Sequence, residues 1–121
     1  MSRDYSGLMY PKQGRKKKRK KHKKSILKSQ KGVCYLCAML YDDYSVKYTE
    51  EHHIMYGSGR RTDSEAEGIK VHLCKYHHLE GKEAVHNNRE MRKLLCRKAQ
   101  EEFEKTNTRE EWMRIFGRNY L

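Results

Sequence analysis

Apolar and polar positions alternate in the middle of the chain, a pattern typical of half-buried strands. Residues 44–49 and 69–73 alternate and are rich in β-forming side chains, so each of them predicts a strand. Residues 52–56 are a further β-like stretch. Residues 57–61 have the composition of a flexible basic loop, and residues 64–68 predict one helical turn that ends at Gly68.

The last third of the chain has the apolar period of helices. Asn87 or Asn88 can cap a helix that runs to about residue 105, and Thr108 with Glu111 forms a capping-box pattern that starts a final helix. Residues 74–81 predict a shorter helix, and residues 33–37 a short turn. The apolar residues of the two long helices are Met91, Leu94, Leu95, Phe103, Trp112, Ile115 and Phe116. Strands followed by helices predict a small α+β fold.

The positive charge of the chain is concentrated at its N-terminus. Of 121 residues, 28 are Lys or Arg and 16 are Asp or Glu. Residues 1–31 hold thirteen of these cations and a single acid, Asp4, so this segment carries +12 and the rest is neutral overall. A block of like charge repels itself and favours an anionic partner. We therefore expect a flexible, disordered basic tail at residues 1–31, anchored by Ile26 and Leu27, before a folded domain at residues 32–121.

The tail is expected to contact nucleic-acid phosphates without reading sequence. The alternative is a solvated basic segment that serves localisation or solubility. The residues expected to make the contacts are Arg15, Lys16, Lys17, Lys18, Arg19, Lys20, Lys21, Lys23 and Lys24.

Composition predicts a single small domain stabilised by a metal. No apolar run is long enough to span a membrane and no apolar N-terminal stretch indicates a signal peptide, so we expect a cytoplasmic protein without a membrane partner. Only about 90 residues remain to fold if the tail is disordered, and hydrophobic residues are 36% of the chain. Four Cys and seven His in a chain without a secretion signal favour a metal over disulfides.

Two half-sites with matching spacing predict structural zinc. Cys34 and Cys37 are separated by two residues, which lets both thiolates face one ion, and Cys74 and His77 repeat the spacing. The alternative is a set of reduced, buried thiols. Cys96 lies on the apolar face of the long helix and is predicted to be a small core residue.

Two adjacent histidines, His52 and His53, form the motif that is most specific for a function. Side chains of neighbouring residues on a strand point to opposite faces, so His52 can bind a metal while His53 addresses a water or a substrate. Phosphodiester hydrolysis needs both parts, a cation at the phosphate and a base that acts near neutral pH.

The order of these motifs resembles that of the HNH endonuclease family, and in particular the small HNH proteins with a basic tail that bacteriophages and prophages carry. The resemblance covers residues 32–90: a Cys-x-x-Cys pair, His-His-Ile, a Gly/Arg loop, and a Val-x-Leu-Cys-x-x-His-His segment. It implies a ββα-metal core, in which a hairpin and a helix hold one divalent ion. It also implies cutting of DNA, with 5′-phosphate and 3′-hydroxyl products, in a bacterial or phage-infected cell.

The resemblance implies a role for each matching residue. His52 is a ligand of the catalytic ion and His53 is the general base, and His78 also faces that ion. Cys34, Cys37, Cys74 and His77 form the structural zinc set, although His77 and His78 can exchange roles. The family's last ligand stands three or four residues after the preceding one, where this sequence has Gly81 and Lys82, so His86 is expected to be the third catalytic ligand on chemical grounds, with Asn87 and Asn88 as the alternatives. The ion itself is Mg²⁺, Mn²⁺, Ni²⁺ or Zn²⁺, and two or three imidazoles favour the softer ions.

The middle Asn of the family also has no counterpart in this sequence. The Asn that normally holds the loop behind the base is replaced by Ile69, so Ser64 or a backbone group near Gly68 is expected to hold His53. Arg60 and Arg61 are expected to clamp the DNA backbone beside the scissile bond.

Two other functions remain open. One is a non-catalytic, zinc-stabilised module that binds DNA or RNA. The other is a structural phage protein or a ribosome-associated protein that uses the tail on RNA. The partner expected first is double-stranded DNA of unknown sequence preference.

Overall fold

Two short strands pair antiparallel in the part of the chain that the structure, a computed structural model, describes: residues 22–55 and 60–121. In the sheet, His52 pairs with Val71 and His53 with Lys70. No helix in these two ranges is long and apolar enough to cross a bilayer. The elements, in chain order, are helix α1 (Tyr35–Tyr41), strand β1 (Glu50–His53), helix α2 (Arg60–Glu67), strand β2 (Lys70–Leu73), a π-helical turn (Tyr76–Glu80), helix α3 (Arg89–Phe103) and helix α4 (Arg109–Phe116).

One hydrophobic core joins the sheet to the helices. Val71 and Leu73 of β2 are fully buried, as their alternation predicts. Trp112 of α4 is also fully buried, and its ring centroid lies 5.4 Å from that of Phe103 and 4.4 Å from that of Phe116. The described residues therefore form the small α+β fold that the sequence predicts.

The two long helices begin where their capping residues predict. The Asn88 side chain accepts a hydrogen bond from the Met91 amide, so Asn88 rather than Asn87 is the cap of α3. Thr108 accepts from the Glu111 amide at 3.1 Å and caps α4. Cys96 is buried on α3, which confirms it as a core residue.

The strand predicted at residues 44–49 is absent, so that prediction is wrong. Its apolar side chains are between 64% and 88% exposed. Asp43 accepts hydrogen bonds from the amide and hydroxyl of Ser45 and pairs with Lys47 at 2.9 Å. These local side-chain bonds compete with a sheet ladder and hold the segment in an irregular turn. The first strand is instead Glu50–His53, which begins earlier than the predicted 52–56.

Two predicted loops are partly helical, which corrects their boundaries. Residues 57–59 lie outside the described residues, but Arg60 and Arg61 belong to α2, which starts before the predicted turn at residue 64. Cys37 lies in the first turn of α1 rather than in a free turn. Helix α2 ends at Gly68, whose φ of +73° is a conformation that favours glycine.

Residues 22–31, the described part of the predicted tail, run along α2 and β2. The Ile26 amide donates to the Gly68 carbonyl at 3.0 Å, and the Ser25 hydroxyl donates to the Lys70 carbonyl at 2.6 Å. Leu27 is 6% exposed and Ile26 packs beside it, which confirms the predicted anchor. Lys23 and Lys24 are exposed on this segment. The other predicted phosphate contacts lie outside the described residues: Arg15, Lys16, Lys17, Lys18, Arg19, Lys20 and Lys21.

Candidate metal centres and active site

Four metal-binding side chains converge where α1 meets the end of β2. The sulfur atoms of Cys34, Cys37 and Cys74 lie 3.5, 3.4 and 3.5 Å from Nδ1 of His77, and those of Cys37 and Cys74 lie 3.8 Å apart. All four side chains are buried. Around a tetrahedral zinc ion, two sulfur atoms stand about 3.8 Å apart, and sulfur and nitrogen about 3.5 Å. This cysteine–histidine group therefore fits a structural metal such as zinc.

Local structure places each half of the group. Cys34 is the N-cap of α1 and Cys37 lies in its first turn, so that the Cys37 amide donates to the Cys34 sulfur at 3.4 Å. Cys74 directly follows β2, and His77 lies in the π-helical turn. One ion bound to all four would join the helix, the strand and the turn.

Charged groups surround the cysteine–histidine group. Lys47 Nζ donates to the Cys37 sulfur at 3.4 Å, and His77 Nε2 lies 3.3 Å from a Glu83 carboxylate oxygen. A carboxylate in that position orients a metal-bound imidazole. Burial and the neighbouring Cys34 thiol raise the pKa of Cys37 to about 12, so without an ion this thiol keeps its proton. A cation bound here would take the place of that proton.

Three imidazoles form a second group, separate from the thiols. His52 comes from β1, His78 from the turn, and His86 from the segment before α3. The Nε2 atoms of His78 and His86 are 3.2 Å apart, and the His52 ring centroid lies 5.3 Å and 5.4 Å from theirs. Two imidazole nitrogens on one tetrahedral ion stand about 3.3 Å apart, so this histidine group has the donors and spacing of a metal site.

The protonation of the histidine group suits metal binding. Burial, helped by the nearby imidazoles of His78 and His86, lowers the pKa of His52 to about 3, so this ring is neutral at physiological pH. His78 Nδ1 donates to a Glu50 carboxylate oxygen at 2.8 Å, which leaves its Nε2 lone pair facing His86. Glu50 therefore plays the orienting part here that Glu83 plays for the first group.

His53 contacts a carboxylate of α2 rather than the histidine group. Its Nε2 lies 2.8 Å from Oε1 of Glu65. The other oxygen of Glu65 contacts Nδ1 of His22 at 2.8 Å and Lys70 Nζ at 3.0 Å. The hydrogen bond from His53, together with those from His22 and Lys70, lowers the pKa of Glu65 to about 2. An ionised Glu65 fixes the proton of His53 on Nε2 and leaves Nδ1 as an acceptor.

His52 and His53 both line one cleft of about 330 Å³. Arg61 lines this cleft, whereas Arg60 does not and donates instead to the Ile115 carbonyl at 2.9 Å. Arg60 thus ties α2 to α4, so only one of the two arginines expected beside the site lies there. The cleft is lined by Glu51, His52, His53, Met55, Arg61, His78 and His86.

The structure separates ligands that the sequence left interchangeable. His77 lies with the thiols and His78 with the imidazoles. His86 belongs to the histidine group, whereas its two alternatives do not. Asn88 caps α3, and the Asn87 side chain donates to the Leu79 carbonyl at 2.7 Å.

Three acidic residues of the site were missed by the sequence analysis. Glu65 holds His53 in place of the predicted Ser64, whose hydroxyl instead accepts from the Met55 amide. Glu50 had a signal, because it stands two residues before His52 and so shares its face of the strand. Glu65 and Glu83 had none, because their contacts depend on how separate elements pack.

No family model, curated protein or solved structure matches the chain. The resemblance of residues 32–90 to HNH endonucleases therefore stays a prediction.

Proposed function

We propose that this protein is a metal-dependent endonuclease of the HNH type that hydrolyses phosphodiester bonds in DNA. One observation carries the proposal: a single cleft is lined by three imidazoles with metal-site spacing and by His53, which pairs with Glu65. Two antiparallel strands, with helix α2 between them in the chain, and the helical turn after the second strand supply His52 and His78, and this arrangement supports the proposal.

The two groups are proposed to hold different ions. Three thiolates and one imidazole favour zinc, which would be structural because the group is buried and fully composed of protein ligands. The histidine group opens to the cleft and favours Mn²⁺, Ni²⁺ or Zn²⁺ over Mg²⁺. When bound there, the divalent ion stabilises the charge on the scissile phosphate and on the leaving 3′ oxygen.

His53 is proposed to activate the attacking water. Its Nδ1 accepts a proton from water while its Nε2–H donates to Glu65. The imidazolium that forms is stabilised by the ionised carboxylate, which also keeps the ring in the correct tautomer. Arg61 binds a phosphate oxygen at the edge of the cleft.

A plasmid-nicking assay tests the function. The zinc-loaded full chain is incubated with supercoiled DNA in the presence of Mg²⁺, Mn²⁺, Ni²⁺ or Zn²⁺, and without an added ion. We expect nicking that depends on the added ion. DNA binding without nicking in every ion would instead support a non-catalytic module.

Replacing Glu65 by glutamine is expected to slow nicking by roughly 10- to 100-fold, because a neutral amide does not stabilise the imidazolium of His53. Glu67→Gln is the matched control, because it makes the same charge change on the same helix, outside the cleft. Equal nicking rates for the two variants would contradict this role.

Deleting residues 1–21 is expected to weaken DNA binding and flatten its salt dependence. The slope of log K against log salt should fall by roughly 0.9 for each phosphate that the tail neutralises in the full chain. The deletion stops before Ile26 and Leu27, because these residues pack on the domain. A chain with a Gly/Ser segment in place of residues 1–21 controls for length, and an unchanged slope would show that the tail does not bind DNA.

A further inference from the structure

A positively charged groove lies beside the start of α3, and the proposed mechanism does not use it. Its volume is about 460 Å³, and four of its six lining residues are cations while none is a carboxylate. This is notable because residues 32–121 hold equal numbers of basic and acidic side chains. The packing of the chain therefore brings cations together at this groove. The groove is lined by Arg89, Arg92, Lys93, Cys96, Arg118 and Tyr120.

The cations of this groove differ from other cations on the domain. Lys105 and Arg114 each pair with a glutamate three residues away on the chain. Arg89, Lys93 and Arg118, by contrast, form no ion pair with any residue that the structure describes. All three side chains are exposed, so their charge is available to an anion.

The groove adjoins the cleft at its His86 end. Arg92 Nη1 donates to the Val85 carbonyl at 3.2 Å, and Val85 directly precedes His86 in the chain. Helix α3 starts at Arg89, three residues after His86, and its first turns carry the cations. The groove and the His86 side of the cleft therefore lie close together in the fold.

We propose that this groove binds the backbone phosphates of duplex DNA next to the phosphate that is cut. The inference rests on the proposed function and adds a surface that aligns the duplex across His86. Arginine and lysine contacts to phosphates fix the register of a protein on DNA without reading its sequence. Two arginines on adjacent turns, with Arg118 facing them, also suit bidentate contacts to phosphate oxygens.

The test compares two variants with the same loss of charge. Arg89→Gln with Lys93→Gln removes two groove cations, and Lys105→Gln with Arg114→Gln removes two cations elsewhere. Binding of a short labelled duplex is measured between about 50 and 200 mM salt. All chains also carry His53→Ala, which prevents cutting during the measurement. We expect the groove variant to lose on the order of tenfold in affinity per cation and about two units of salt slope.

The outcomes separate this proposal from the nuclease assignment. Equal salt slopes for the groove variant and the control variant would refute DNA binding by the groove. Binding of a single-stranded RNA of the same length is measured as well, and a loss of affinity for that RNA alone would also refute it. Arg118→Gln is a second, single test in which we expect a slope change of about one unit. If the groove variants lose duplex binding but the unmodified chain nicks no plasmid in any ion, the groove is supported and the nuclease is refuted.

Discussion

Replacing His53 by alanine is expected to lower metal-dependent nicking about 100- to 10,000-fold, the range typical of a lost general base. The reason is local, because His53 contacts Glu65 rather than the histidine group. The variant removes the acceptor for the water proton and leaves His52, His78 and His86 to hold the ion. Rates are measured under single-turnover conditions, and duplex binding is measured in parallel.

His72→Ala is the matched control for this variant. His72 lies on the neighbouring strand, opposite Glu51, and does not line the cleft. It should therefore keep the nicking rate within a few-fold of the original. Nicking by the His53 variant at the original rate would refute the assigned base, and loss of duplex binding in that variant would point to a binding role for His53.

The side chains that could hold a metal were predictable because their spacing is a local property of the chain. Two residues between Cys34 and Cys37 allow one helical turn to present both sulfurs, and the structure places them on the cap and first turn of α1. Alternation along a strand likewise separates His52 from His53, and the structure turns the two rings toward different partners. Both inferences need only the geometry of a few consecutive residues.

The residues that tune these ligands were not predictable in the same way. Glu65 lies twelve positions from His53, and their contact depends on how α2 packs against the sheet. The prediction of a strand at residues 44–49 was wrong for a related reason. Hydrogen bonds from Ser45 and Lys47 to Asp43 outweigh the β propensity of that segment.

The positive charge of the chain was likewise predictable where it is local in the sequence and unpredictable where it depends on packing. The concentration of cations near the N-terminus is visible in the sequence, whereas the groove at α3 is not, because Arg118 joins Arg89 only through the packing of α4 and the chain after it. Counting charges along a neutral segment gives no sign of a local positive surface. Arg60 and Arg61 were accordingly expected to contact the DNA backbone from the domain, and of the two only Arg61 lines the cleft.

Removing the metal from the cysteine–histidine group is expected to unfold the domain. A structural zinc site in a small domain contributes about 10–16 kcal/mol of binding free energy, comparable to the whole stability of a typical small domain. Here the ion would join α1, the end of β2 and the π-helical turn, and without it three buried thiols and an imidazole face one another. Cys34→Ser should therefore abolish the cooperative thermal unfolding transition that circular dichroism measures. A strong chelator should abolish the same transition in the unmodified chain.

Cys96→Ser is the matched control, because Cys96 is equally buried but lies on α3 outside the group. It changes the same sulfur to oxygen in the core and should lower stability by only about 1–3 kcal/mol, the cost of burying a hydroxyl. Metal analysis adds an independent measure, with one tightly bound zinc expected in the Cys96 variant and none in the Cys34 variant. A chelator-resistant, cooperative melt of the Cys34 variant would show that this group is a cluster of buried thiols, and that the core holds the fold without an ion.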